Sequence, residues 1–94
     1  MEIPVVNNPA RQQFQVTVGG ETASLDYRLP EGTLVLMHTE VPEKLGGRGI
    51  GSALAGFSFQ YARENQLRVK VYCPFVAAWV KKHAEVQDLI VNAD

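Results

Sequence analysis

The chain has 94 residues, of which 46% are hydrophobic and 20% are charged, and its formal net charge at pH 7 is −1. This length suits one compact domain, so we expect a single domain over residues 1–94. The nearly neutral charge favours neither a nucleic acid nor an anionic membrane surface as a partner. One cysteine excludes an intrachain disulfide, and with only two histidines no structural metal site is expected.

The N-terminal residues do not resemble a secretory signal peptide, because they contain neither a basic segment nor an apolar core. No segment approaches the ~20 apolar residues that a transmembrane helix needs. We therefore expect a cytoplasmic protein with no membrane partner.

The first half of the chain predicts three β-strands joined by turns. Residues 7–9 are typical of a turn. Apolar and polar residues alternate over residues 14–18 and 22–29, and the Gly-Gly pair at 19–20 favours a hairpin between them. Residues 33–41 predict a third strand, and their apolar run on both faces is typical of an internal strand.

The second half predicts a helix, a strand and a helix. Apolar residues recur every three or four positions over residues 47–65, which indicates one buried helical face. Alternation over residues 67–73 predicts a fourth strand that lies at a sheet edge or is only half covered, and Pro74 can open a helix over residues 75–84. Residues 86–91 predict a last element, and their pattern does not distinguish a helix from a strand. The order predicts an α+β domain whose third and fourth strands are parallel and joined by a right-handed crossover.

A glycine-rich loop lies between the third strand and the first predicted helix. Four of the residues 46–51 are glycines, which let the backbone approach a bulky anion. The first N–H groups of a helix lack internal partners and favour negative charge, and Arg48 adds a cation. The loop therefore predicts a pyrophosphate site, although a simple turn into the helix is the alternative. It is not a P-loop, because no Gly-Lys-[Ser/Thr] follows at the required spacing.

Two motifs carry a resemblance to a known family. The acetyl-CoA loop of the GNAT superfamily of N-acetyltransferases, written Gln/Arg-x-x-Gly-x-Gly/Ala, resembles the run Gly46-Gly47-Arg48-Gly49-Ile50-Gly51. A branch of very small GNAT-like proteins is similar at His38-Thr39-Glu40-Val41-Pro42 and at Cys73-Pro74-Phe75-Val76-Ala77-Ala78. The resemblance covers about residues 25–88. It departs at the first loop position, where the family's Gln or Arg is Gly46.

The resemblance implies a minimal GNAT-like fold, with antiparallel hairpin strands, a parallel strand–helix–strand unit and a C-terminal helix. It implies acetyl-CoA as the cofactor and no metal. The pyrophosphate would meet the loop backbone, and the pantetheine arm would fill a gap between the third and fourth strands. The implied cofactor-binding residues are Glu40, Val41, Gly46, Gly47, Arg48, Gly49, Ile50, Gly51 and Ser52.

Three residues are the catalytic candidates. Acetyl transfer to an amine needs a base for the amine and a proton for the leaving thiolate. We expect His38 to be the base and Cys73 to be a nucleophile or proton donor, with both side chains facing one cleft. Glu40 is the alternative base, on the same face as His38. Otherwise Cys73 is a small buried hydrophobic residue and His38 an ordinary polar residue.

The helix after the fourth strand departs from the superfamily pattern. Many members place a proton-donating tyrosine there, but residues 75–84 contain none, and Trp79 cannot supply that proton.

Three functions stay open: an N-acetyltransferase acting on a small-molecule or protein amine, a CoA-binding module with little turnover, and a structural domain whose loop is only a turn. The oligomeric state is also open.

Overall fold

The computed structural model describes residues 3–91, which form a five-stranded mixed sheet with helices on one face. In chain order the elements are β1 (Val6–Asn8), β2 (Gln13–Val18), β3 (Glu21–Arg28), β4 (Thr33–Glu40), a 3₁₀ turn (Glu43–Leu45), α1 (Ile50–Glu64), β5 (Arg68–Val71), α2 (Pro74–Val80) and a second 3₁₀ segment (Ala84–Leu89). The strand order is β1-β2-β3-β4-β5; β4 and β5 pair in parallel, and the other neighbouring strands pair antiparallel. The predicted α+β class and its parallel strand–helix–strand unit are confirmed.

The hydrophobic core lies between the sheet and the two helices. Phe14 of β2 stacks on Tyr27 of β3, with ring centroids 4.4 Å apart, and meets Phe57 and Tyr61 of α1 edge-on at 5.3 Å. Other fully buried side chains are Val16, Leu25, Leu34, Leu36, Leu54, Val69 and Val76. Burial of one such aliphatic side chain contributes about 1.5–3 kcal/mol. We call this side of the sheet the helix face and the opposite side the open face.

β1 was not predicted, because Asn7 and Asn8 are typical of turns. Both side chains instead bond within the sheet: the Tyr27 hydroxyl donates to Asn7 Oδ1 at 2.6 Å, and Asn8 Nδ2 donates to Gln15 Oε1 at 3.4 Å. The turn follows them, over residues 9–12. Cross-strand side-chain bonds therefore overrode the local turn preference.

The helices are shorter than their hydrophobic spacing predicted. α1 begins at Ile50 instead of residue 47, because Gly47 and Gly49 both have a φ of 77°, in the left-handed region. α2 ends at Val80, after which the N–H groups of Lys82 and His83 bond to the carbonyls three residues back. These 3₁₀-type bonds tighten the last turn and end the helix before residue 84.

β4 contains a bulge that decides which side chains reach which face. Tyr27 of β3 pairs with Leu36, but the preceding Asp26 pairs with His38, so Met37 is an extra residue in β4. One extra residue reverses the alternation for every later position of a strand. Leu36 and Thr39 therefore both lie on the helix face, whereas His38 lies on the open face.

Candidate functional site

The site begins where β4 and β5 separate. Their parallel pairing ends at Leu36 and Val71, and the N–H groups of Tyr72 and Cys73 both donate to the Leu36 carbonyl, at 2.9 and 3.2 Å. The chain then turns into α2 at Pro74. Beyond Leu36, the edge of β4 that faces β5 has no strand partner within residues 3–91. Backbone groups on this edge are free to bond to a ligand, and we call the opening the β4–β5 gap.

A cavity of about 420 Å³ opens on the helix face beside this gap. It is lined by Thr39, Val41, Leu45, Gly46, Gly47, Gly49, Ile50, Gly51, Ser52 and Phe75. Its volume lies within the range of small-ligand pockets. The lining joins the end of β4, the glycine loop and the first turn of α1, which are the elements predicted to hold the cofactor.

The glycine loop presents backbone donors to this cavity. The first α-helical bond of α1 runs from the N–H of Ala53 to the Gly49 carbonyl, so the N–H groups of Ile50, Gly51 and Ser52 have no partner inside the helix. Among residues 3–91, no side chain caps this helix end. Gly46 lines the cavity but does not offer it a free N–H group, because its N–H already donates to the Glu43 carbonyl at 3.1 Å.

Gly51 permits a close approach by Phe75 from the start of α2. A Cβ at position 51 would lie 2.7 Å from Phe75 Cζ, well inside van der Waals contact. The Phe75 ring, 44% exposed, thereby forms one wall of the cavity. Arg48 and Glu40, which were also predicted to bind the cofactor, are exposed and do not line the cavity.

Cys73 lies on the helix face and is paired with a residue that was not predicted. Its side chain is 2% exposed, and its Sγ lies 3.1 Å from the Thr39 Oγ1, where either atom can be the donor. Thr39 also lines the cavity, so it connects the thiol to the candidate cofactor site. A prediction from strict alternation along β4 misses Thr39, because it assigns residue 39 to the open face together with residues 35 and 37.

The expectation that His38 and Cys73 face one cleft was wrong. His38 pairs with Asp26 on the open face, whereas Cys73 lies on the helix face beside Thr39. The physical reason is the bulge at Met37, which reverses the direction of His38. Glu40 lies on the same face as His38, as predicted, and pairs with Ser24. The structure thus places a thiol on one side of β4 and two exposed titratable groups on the other.

A larger groove of about 720 Å³ lies farther along the helix face and lacks comparable chemistry. Trp79 stacks between Phe59 and His83, with ring centroids 5.6 and 3.7 Å away. His83 Nδ1 lies 3.0 Å from Glu85 Oε2, and the pKa of Glu85 is lowered first by a backbone hydrogen bond and then by His83. The groove's polar groups pair with each other, so we place the site at the glycine loop despite the smaller volume there.

Residues 3–91 contain neither a helix suited to span a membrane nor a cluster of metal ligands. None of the helices there combines the length and the apolar character that a membrane span requires. The same residues bring no three His, Cys, Asp or Glu side chains together in a way that could hold a metal ion.

A solved structure shares this arrangement of strands and helices. The NMR solution structure of a GCN5-like protein from Staphylococcus aureus matches with a TM-score of 0.74 and 24% sequence identity. The match covers 98% of this chain and 91% of that one. At this identity the likeness establishes the fold, which is the minimal GNAT-like fold that the sequence predicts.

Sequence comparison establishes the family. A family model described as GCN5-related N-acetyl-transferase matches residues 13–89. Protein NATD1 from Homo sapiens is 33% identical over 84 residues, which cover 86% of this chain and 74% of that protein. Protein NATD1 from Bos taurus is 36% identical over 86% of this chain and 74% of its own length. Protein NATD1 from Danio rerio is 32% identical over 90% of this chain and 80% of its own length. The chain belongs to the GCN5-related N-acetyltransferase family.

Proposed function

We propose that this protein is an acetyl-CoA-dependent N-acetyltransferase that transfers an acetyl group to an amine. One observation carries the proposal: the 420 Å³ cavity joins unpaired N–H groups at the start of α1 to the unpaired edge of β4. A helix start of this kind favours phosphate groups. A free strand edge favours a ligand arm that contains amides, because both have backbone-like donors and acceptors.

The residues present fit such a cofactor. The N–H groups of Ile50, Gly51 and Ser52 would bind the pyrophosphate, and the left-handed Gly49 leaves the approach to them free of a side chain. The edge of β4 near Val41 would bind the pantetheine arm. Acetyl-CoA, when bound, supplies the acetyl group as an activated thioester.

The protein's own groups divide the proton transfers between the two faces. On the open face, His38 accepts the proton of the incoming amine, and Glu40 is the alternative base. On the helix face, Cys73 supplies a proton from Sγ, and the 3.1 Å contact with Thr39 Oγ1, in which either atom can donate, holds the thiol in position. We place the reacting centre in the β4–β5 gap, so that the base on one face and the acid on the other would act on opposite sides of it.

Thermal unfolding with and without acetyl-CoA tests the cofactor, with free CoA and ATP as controls. A ligand that binds only the folded state at a hundredfold excess over Kd stabilises it by about 2.7 kcal/mol. For a domain of this size, that corresponds to a rise in Tm of roughly 10 °C. We expect both CoA forms to raise Tm and ATP to have little effect. Absence of a shift at millimolar acetyl-CoA contradicts the proposal and favours a loop that is only a turn.

The role of Cys73 is tested separately, because the thiol can act as a proton donor or as a nucleophile. Mass spectrometry of the protein mixed with acetyl-CoA, with and without an amine, distinguishes the two. A proton donor leaves Cys73 unmodified during turnover. An acetyl group that appears on Cys73 and moves to the added amine at the rate of turnover identifies a nucleophile instead.

A CoA-binding module with little turnover is the second candidate function. The observation that favours it is the composition of α2, whose seven residues include Trp79 but no tyrosine to protonate a leaving thiolate. This candidate predicts the same rise in Tm with acetyl-CoA but no acetylated product from any amine. Product analysis by mass spectrometry therefore separates it from the transferase.

A further inference from the structure

A second cavity, of about 510 Å³, lies on the open face next to the β4–β5 gap. It is lined by Arg28, Pro30, Glu31, Thr33, Val35, Met37, Lys70 and Tyr72. These residues belong to β3, β4, β5 and the turn between β3 and β4, except for Tyr72, which directly follows β5. The cavity is thus on the opposite side of the sheet from the glycine loop, and the proposed cofactor does not account for it.

One end of this cavity carries two cations. Val35 pairs with Arg28 on one side and with Lys70 on the other, so the three side chains form a row across the sheet. The two cationic residues are separated by two strand spacings, about 10 Å, with an apolar floor between them. Long side chains at this separation can converge on one anion.

The charge of these cations is not neutralised locally. Arg28 donates one hydrogen bond, from Nη1 to the Tyr27 carbonyl at 2.7 Å, and the rest of its guanidinium group is available. Within residues 3–91, neither Arg28 nor Lys70 forms an ion pair within 4 Å, even with Glu31 in the same cavity. Among the described residues that line the cavity, Glu31 is the single carboxylate against two cations, so positive charge predominates.

The other end of the cavity is apolar and borders the gap. Met37 and Tyr72 are 41% and 50% exposed, although the surrounding face is mostly polar. Met37 is the bulge residue, and Tyr72 follows the last paired residue of β5. They lie two residues beyond Val35 and Lys70 along their strands, which is a distance of roughly 7 Å.

We propose that this cavity binds the acceptor, and that the acceptor is a small amine with a carboxylate or phosphate group roughly 7 Å from its nitrogen. Arg28 and Lys70 bind the anion, and the amine lies beside Met37 and Tyr72, where the cavity borders the gap on the same face of the sheet as His38. A volume of about 510 Å³ suits a small molecule. This inference rests on the proposed function, because the amine must meet the acetyl group in the gap.

The transfer balances with the groups named. The amine nitrogen forms a bond to the acetyl carbon as the carbon–sulfur bond of the thioester breaks. The proton of the amine goes to the base on the open face, and the sulfur leaves as a thiol after taking a proton from the helix face. No oxidant, reductant or metal is required.

Matched acceptors test the proposal in protein saturated with CoA. The set is ε-aminocaproate, its uncharged amide, and an aminoalkyl phosphate of similar length. We expect both anionic amines to bind about tenfold more tightly than the amide by calorimetry. We also expect their affinity to fall as salt is raised, because exposed charges are screened. A difference between the carboxylate and the phosphate identifies the preferred anion.

Charge-removing variants locate the binding site. Arg28→Gln and Lys70→Gln should each weaken binding of the anionic amine by roughly two- to fivefold, as for exposed ion pairs, and together by about tenfold. With acetyl-CoA as the donor, the double variant should raise KM for this amine and leave kcat nearly unchanged. Lys81→Gln is the matched control, since Lys81 is an exposed cation after α2 and lines neither cavity. It should bind like the wild type.

Two results overturn the acceptor class: equal affinity for the amide and the acid, or unchanged affinity in the double variant. The rise in Tm with acetyl-CoA, measured on the same samples, separates this failure from failure of the proposed function. If the shift is present and the acceptors are not distinguished, only the acceptor class is wrong. If the wild type shows no shift, the proposed function itself is wrong.

Discussion

The two faces of the sheet at the β4–β5 gap present different kinds of binding surface. On the helix face, about half of the residues that line the cavity are glycines or serine, and the buried thiol of Cys73 lies behind Thr39. On the open face, the cavity consists of long side chains, with Arg28 and Lys70 at one end and Tyr72 at the other. A backbone surface depends on φ angles and on the absence of Cβ atoms, whereas a side-chain surface can be altered one residue at a time. The comparison indicates that one face is suited to a constant ligand and the other to a variable one.

The largest expected difference between the faces is in stability, at two neighbouring residues of β4. Leu36 is fully buried on the helix face, so Leu36→Ala should lower the free energy of unfolding by about 2–5 kcal/mol. Met37→Ala, at an exposed bulge position, should change it by less than about 1 kcal/mol. Urea denaturation measures both. Similar losses in the two variants would contradict the assignment of faces.

The next effect is on cofactor binding and distinguishes two glycines with similar backbone angles. Gly49 has a φ of 77° and Gly20 a φ of 83°, so a valine at either position should cost about 1–2 kcal/mol of stability or more. Only Gly49→Val should also lose the stabilisation by acetyl-CoA, which is about 2.7 kcal/mol at a hundredfold excess over Kd, and with it the rise in Tm. Gly20→Val, in the hairpin between β2 and β3, should retain it. A full shift in Gly49→Val would place the cofactor elsewhere.

A smaller effect concerns the hydroxyl next to Cys73. Thr39→Val preserves the shape of the side chain and removes its contact with Sγ, so kcat should fall by about tenfold, as for loss of one hydrogen bond. The Tm shift with acetyl-CoA should be retained. Thr17→Val is the matched control, because it breaks an exposed hydroxyl pair with Thr22, 3.0 Å long, far from the gap. Equal rates for the two variants would remove Thr39 from the mechanism.

The smallest effect is expected at an exposed ion pair at the edge of the helix face. Arg63 Nη2 lies 3.0 Å from Asp88 Oδ1, and the hydrogen bond from Arg63 lowers the pKa of Asp88 below its usual value. Because the folded pKa is the lower one, this contribution is present at neutral pH and disappears as the pH falls through the folded pKa. The difference in stability between the wild type and Asp88→Asn should therefore vanish in acid. NMR titration of the Asp88 carboxyl in Arg63→Gln should show the pKa rising, and an unmoved titration would contradict the pairing.

The sequence predicts the fold well because its signals are local. Alternation over residues 14–18 and 22–29, the three-to-four spacing in α1 and the glycines at 46–51 each report on neighbouring positions. Seven of the residues predicted to bind the cofactor line the 420 Å³ cavity for the same reason. Their role in binding acetyl-CoA remains a prediction.

The relative placement of the catalytic candidates was not predictable in the same way. It depends on the pairing of β4 with β3, in which Leu36 and His38 oppose consecutive residues of the partner strand. The apolar run over residues 34–37 has no period that indicates an extra residue. Thr39 was missed for this reason, and the open-face cavity was missed because it combines residues from three strands.

The bulge at Met37 also affects how residue roles are transferred between relatives. If a related chain lacks one residue at this point of the strand, an alignment that ignores the deletion equates side chains on opposite faces of the sheet. A histidine matched to His38 in such an alignment would then lie next to the thiol, and a threonine matched to Thr39 would face solvent. Comparisons across this family therefore need the length of β4 to be matched before the identities of its residues are compared.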